Sequence, residues 1–192
     1  MNKSYIFNIG LNKCGTTSLA SALNILGIRT LHHNFKSISN NKNRDIRLVD
    51  FWRHNLRNGR RPFYGLDNSF YGFGDFFGEA CFKQLDLAYP GSKFILTTRP
   101  LDEWLASRER HVNKNLQNPK YLGGFREVNI QGWTNLYNSH ISHTREYFRN
   151  RKNDFLIMDI PSGDGWDKLC QFLSLPTPSI EFPWGNKSEK YD

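Results

Sequence analysis

Lys93-Phe94-Ile95-Leu96-Thr97-Thr98-Arg99 precedes Pro100, and Tyr89-Pro90-Gly91 stands just before it. An apolar run bounded by turn formers predicts a strand over 93–97. Pro100, with its fixed φ, sets the start of a helix over 101–112. The same alternation runs outward in both directions. Tyr5 to Ile9 predicts a first strand ending at Gly10. Leu19, Ala22, Leu23 and Leu26 at helical spacing predict a helix over 15–26, closed by Gly27. Residues 63–66 predict a second strand and 75–88 a helix. Further on come a helix over 130–149, a strand over 155–158 and a helix over 165–173. The tail, with Pro176, Pro178 and Pro183, is expected to be irregular. Strands separated by helices predict an α/β fold: one domain over 1–192, a parallel β-sheet flanked by helices. Ligands in such folds bind beyond the carboxyl ends of the strands. That directs attention to residues 10–18, 67–75 and 99–107.

The chain has 192 residues, 38% hydrophobic and 15% aromatic, a globular composition. No apolar run reaches the roughly 18 residues needed to span a membrane. Residues 5–9 are too short for a signal-peptide core, and no small-residue cleavage site follows. Cys14, Cys81 and Cys170 are far apart and odd in number, so neither a metal spacing nor a disulfide framework is expected. A reducing, cytoplasmic compartment fits this usage. The net charge of +8 suits an anionic partner such as a nucleotide, an acidic glycan or a nucleic acid.

Gly10-Leu11-Asn12-Lys13-Cys14-Gly15-Thr16-Thr17-Ser18-Leu19 joins the first strand to the first helix. The N–H groups of residues 15–18 at a helix start, with the helix dipole, form an anion cradle. Thr16, Thr17 and Ser18 add hydroxyls, and Lys13 adds charge. The nucleotide-triphosphate loop G-x-x-x-x-G-K-[ST] matches at Gly10 and Gly15 but fails where Thr16 replaces its lysine. Lys13 reaches the cradled group from inside the loop, and no metal is demanded. Against this stands a plain helix cap with a surface lysine. At the second loop, Arg99 sits just past the strand and Ser107 about two turns into the next helix. A phosphate held between them would take a charge-assisted bond and a hydroxyl bond.

Taken together, the two loops resemble the sulfotransferases that use 3′-phosphoadenosine-5′-phosphosulfate (PAPS). The run Lys13 to Leu19 looks like that family's K-x-G-T-T-x-L loop, and the Arg99 to Ser107 spacing like its 3′-phosphate site. Residues 88–96, 158–166 and 182–187 look like a small-protein branch of the family. Arg99-Pro100-Leu101-Asp102 departs from the usual Arg-Asp-Pro, and Trp184 stands where histidine is common. The resemblance implies a P-loop-like nucleotide-binding core and sulfuryl transfer from PAPS. It implies that Lys13, Cys14, Gly15, Thr16, Thr17, Ser18, Arg99, Ser107, Asn186 and Lys187 bind the donor, with Lys13 also stabilising transferred charge.

An acceptor hydroxyl needs a base. Asp75 is the first candidate, Asp67 competes as the acid nearer the expected strand at 63–66, and His33, beside His32, follows the first helix. The bland role for Asp75 is a helix N-cap. Aromatic residues Trp52, Phe63, Tyr64, Phe70, Tyr71, Phe73, Phe76 and Phe77 either line an acceptor pocket or, more often for such residues, fill a core. Cys14 at a helix start suggests a lowered thiol pKa. The expected partner is a small-molecule or glycan acceptor, with no nucleic acid and no membrane. Two other readings stay open. One is a P-loop nucleotide or small-molecule kinase, with Asp67 or Asp159 as the Mg²⁺ acid. The other is a non-catalytic polyanion or nucleic-acid binder, using 57–61 and 149–152.

Overall fold

The strand read from residues 93–97 lies where the sequence puts it, inside the sheet. In this computed structural model, which describes residues 4–39, 42–75 and 81–185, five parallel strands form one sheet. They are β1 (Ile6–Asn8), β2 (Thr30–His32), β5 (Gly72–Gly74), β6 (Lys93–Thr97) and β7 (Phe155–Met158), ordered β2-β5-β1-β6-β7. In β6, Phe94 to Thr97 are all inaccessible to solvent. Their side chains alternate between layers: Phe94 and Leu96 join one core cluster and Ile95 the other. That is the behaviour of a parallel strand covered on both faces.

Each layer is built from helical stripes. On one face α1 (Thr16–Ile25) buries Leu19, Ala22 and Leu23, beside Trp166 and Leu169 of α6 (Trp166–Leu173). On the other face lie α2 (Leu48–Arg57), α3 (Cys81–Ala88) and Phe148, at the end of α5 (Ile130–Tyr147). A third cluster joins α4 (Leu101–Gln117) to α5 through Trp104, Val112 and Trp133, and includes Leu11 and Cys14 of the first loop. The second helix of this pair is tied directly to the sheet, because His140 Nε2 donates to the Ile9 carbonyl at 2.7 Å.

Residues 63–66 are not a strand. Pro62 and Gly65 frame a series of turns, closed by Tyr64 N–H to Arg61 O and Leu66 N–H to Phe63 O. Phe63 is apolar because it fills the core, stacking on Phe73 with ring centroids 4.0 Å apart. The strand that occupies this place in the sheet is β5, and Asp75 follows it at once. Besides β5, three strands and a helix were not foreseen: β2, then β3 (Asn34–Ser39) and β4 (Lys42–Arg47), which pair as an antiparallel hairpin, and α2. The helix expected from residue 75 is seen from Cys81, and residues 76–80 lie outside the described residues. Among the described residues, no helix is long and apolar enough to cross a membrane. All three cysteines are free and buried.

Candidate functional site

The first loop is set by β1. Buried Asn8 accepts from Gly10 N–H at 3.1 Å and from the Thr97 hydroxyl at 3.2 Å through Oδ1, and its amide donates to the Thr16 carbonyl. The loop therefore turns against the end of β6. Lys13 and Gly15 both have left-handed φ, 70° and 80°. Gly15 is the N-cap of α1, and no side chain caps it. The first-turn N–H groups are thus left pointing out of the helix start, where an anion is favoured. The side chains of Thr16 and Ser18 are buried and Thr17 is half-buried. Ser18 Oγ accepts from Gly185 N–H at 2.9 Å, so the C-terminal segment straps onto the start of α1.

The second loop meets the first. Arg99 Nη1 donates to the Lys13 carbonyl at 3.4 Å, its Nε bonds Glu103, and Tyr137 OH donates to the Arg99 carbonyl. Ser107 is buried on α4. Burial lowers the Lys13 pKa, and nearby Arg99, Arg110 and Lys114 lower it further. Arg110 and Lys114 lie on α4 one and two turns beyond Ser107. The result is a concentration of positive charge at the carboxyl ends of β1 and β6, and no ion pair neutralises Lys13, Arg110 or Lys114 among the described residues.

Next to β1, the ends of β2 and β5 bring a second group together. His33 and Asp75 both have left-handed φ, 68° and 64°, uncommon for non-glycine residues and costly unless the surroundings enforce it. His33 Nδ1 bonds Asp75 Oδ2 at 2.6 Å, with the carboxylate 10% exposed and the imidazole 50% exposed. Burial pushes the pKa of neighbouring His32 down, against the opposing pull of Asp75.

A family model described as a sulfotransferase domain matches residues 5–128 and 120–191. The chain belongs to the sulfotransferase family. It is 27% identical over 210 residues to "Ava biosynthesis cluster protein M" of Aspergillus versicolor, covering 91% of this chain and 78% of that one. Its fold is similar to that of a sulfotransferase from Alicyclobacillus acidocaldarius, with TM-score 0.59 and 14% identity, covering 99% of this chain and 88% of that chain.

Within this sulfotransferase, several sequence candidates fall elsewhere. Asp67 precedes β5 by five residues and bonds Arg29, which precedes β2, so it lies at the amino ends of these strands, opposite the carboxyl ends where His33 and Asp75 meet. Its carboxylate caps a turn through Ser69 N–H. The Cys14 side chain sits in the α4–α5 cluster, its N–H closes a turn onto the Leu11 carbonyl, and burial pushes its thiol up to about 12 rather than down. Of the aromatic group, Trp52, Phe63 and Phe73 are core, while Phe70 and Tyr71 precede β5, and Phe76 and Phe77 lie outside the described residues. Asn186 and Lys187 also lie outside them, directly after Gly185. Asp159 Oδ1 accepts from Ser162 N–H in a turn after β7. In the basic run 149–152, Arg149 pairs with Glu146 and Arg151 with Asp86 and Asp154. Sequence reasoning missed Asn8, Asn12, Arg108, Arg110, Lys114 and Tyr137. Arg110 and Lys114 alone had a readable signal, their helical spacing from Ser107.

Proposed function

We propose that the chain transfers a sulfuryl group from PAPS to a hydroxyl or amine of a small-molecule or glycan acceptor, by in-line displacement in the cytoplasm. The observation that carries this is the junction of the two loops: Arg99 bonded to the Lys13 carbonyl, beside an uncapped α1. The uncapped helix start and the unneutralised cations fit a donor carrying phosphates at two ends. Gly15, Thr16, Thr17 and Ser18 would hold its 5′-phosphate, and Arg99 with Ser107 its 3′-phosphate. PAPS supplies an activated sulfuryl group on a good leaving group. Lys13 places a positive charge where negative charge develops on the sulfuryl and leaving oxygens.

His33 is the base in this reading, and Asp75 orients it. A carboxylate only accepts, so Nδ1 carries the proton it shares with Asp75, which leaves Nε2 as the nitrogen that would take the acceptor's proton. The exposed ring then faces an acceptor, while the buried carboxylate fixes the tautomer. This reading moves the base from Asp75, the first candidate, to His33, a later one. His33→Ala is expected to lower kcat on the order of 10²-fold, and Asp75→Asn by a smaller factor with donor KM little changed. A His33→Ala enzyme turning over at the wild-type rate would remove His33 from the mechanism.

The donor assignment is tested by incubating the protein with PAPS and a panel of phenols, sugars and amines in EDTA, following adenosine 3′,5′-bisphosphate by mass spectrometry. Acceptor-dependent, metal-independent release is expected. Turnover of ATP with Mg²⁺ in its place would support a kinase.

The alkaline limb of the pH profile belongs to Lys13. The ammonium must be charged, and its pKa lies below an ordinary lysine's. In kcat/KM, which reports the free enzyme, activity is therefore expected to fall as pH rises through that lowered value. Lys13→Arg keeps its charge and should move the limb to higher pH. An unchanged limb in that variant would assign it to another group.

A further inference from the structure

Arg108 carries charge yet is only 8% exposed. Among the described residues no carboxylate pairs with it. Three rings surround its guanidinium instead, with centroids 4.7 Å away at Trp104, 4.7 Å at Phe125 and 4.6 Å at Trp133. Burial pulls its pKa down to about 10. Its Nε is buried with no hydrogen-bond partner, while Nη1 donates to Asn12 Oδ1 at 2.6 Å. Burying a lone cation is costly, and an apolar side chain would fill such a place without that cost.

What the charge gains is a grip on Asn12. Arg108 takes the side-chain oxygen of Asn12. Trp104, whose ring the guanidinium covers, donates Nε1–H to the Asn12 carbonyl at 2.8 Å. Asn12 is thus held at both of its oxygens by one wall of α4. The next residue is Lys13, with its left-handed φ and its carbonyl taken by Arg99. Main chain on both sides of Lys13 Cα is fixed by α4 or by the loop that starts it.

We propose that Arg108 is a positioning residue for Lys13: held in its aromatic cage, it locks Asn12 and so sets the turn that presents the Lys13 ammonium to the transferred group. This rests on the sulfuryl-transfer reading above. Arg108 does not touch donor or acceptor; it acts through Asn12. Misplacing a catalytic group by about 1 Å costs on the order of 10²-fold in rate, so the grip has kinetic leverage without a large effect on donor affinity.

The test compares Arg108→Met, Arg108→Lys, Asn12→Ala and the Arg108→Met/Asn12→Ala double variant. The readouts are kcat, donor KM, calorimetric affinity for adenosine 3′,5′-bisphosphate, and Tm. Both Arg108→Met and Asn12→Ala are expected to lower kcat by about 10- to 100-fold, with KM and bisphosphate affinity within about 3-fold of wild type. The double variant should be no slower than the slower single one, and Arg108→Lys should recover part of the rate. Full kcat in Asn12→Ala overturns the proposal, as do additive losses in the double variant. If Arg108→Met does not fold, Asn12→Ala decides alone, because it leaves the cage intact. Wild-type protein that fails to bind the bisphosphate overturns the sulfuryl-transfer reading itself. Binding in wild type with an unaffected Asn12→Ala rate overturns only the positioning role.

Discussion

Lys13→Ala is expected to lower kcat by about 10²- to 10³-fold, the cost of removing one preorganised group that meets developing charge. Bisphosphate affinity should change far less, since Arg99, Ser107 and the α1 N–H groups remain. The reason lies in what surrounds the lysine. Its ammonium is half-buried and crowded by Arg99, Arg110 and Lys114, so it is held at some cost to its own charge. An anion arriving there relieves that repulsion, and the relief is greatest when the anion's charge is most concentrated. An interaction stronger in the transition state than in the ground state appears in kcat rather than in KM. A Lys13→Ala enzyme with raised KM and normal kcat would make Lys13 a simple donor-binding residue.

Gly10→Ala is expected to destabilise the fold by about 3 kcal/mol or more, at the upper end of overpacking costs. A Cβ at Gly10 would lie 1.9 Å from Thr97 Oγ1 and 2.5 Å from the Thr97 carbonyl oxygen. Thr97 cannot retreat, because it is wholly buried and donates its hydroxyl to Asn8. The same Asn8 oxygen takes the Gly10 N–H, so the clash also breaks a buried polar network with its own penalty, about 1–3 kcal/mol for each group left unpaired. Gly91→Ala, where nothing lies within 4 Å of a new Cβ, is the control and carries only the strain of a positive φ. Denaturant midpoints for the two variants should separate widely. A Gly10→Ala midpoint equal to that of Gly91→Ala would show that the end of β6 yields, and that the loop is not fixed by this contact.

The parts of this molecule legible in the sequence are those whose determinants are local. β6 is five residues with turn formers on each side, and the first loop announces itself through two glycines, a lysine and three hydroxyls. Residues 63–66 misled because Phe63 serves the core from a turn, and apolar character does not tell a strand from a buried turn. The stretch 34–47 carries few apolar side chains, so the β3–β4 hairpin leaves little alternation to read. The pairing of His33 with Asp75 spans 42 positions and depends on β2 and β5 being neighbours. β5 itself is Gly-Phe-Gly, with no strand signature; Gly72 is required because a Cβ there would meet Thr30 Oγ1 at 2.1 Å. Once β5 is placed, Asp75 moves to the strand's carboxyl end and Asp67 to its amino end. The hold of Arg108 on Asn12 spans 96 positions and has no sequence signal at all.

We propose that the two loops form one site for a nucleotide with phosphates at both ends. Calorimetric titration of the purified protein with adenosine 3′,5′-bisphosphate, without metal and beside ATP with Mg²⁺, tests it directly. Micromolar binding of the bisphosphate is expected, weakened on the order of 10-fold or more in Arg99→Ala by loss of a charge-assisted bond, with weak binding of ATP. No binding of the bisphosphate, with tight Mg²⁺-dependent binding of ATP, would contradict it.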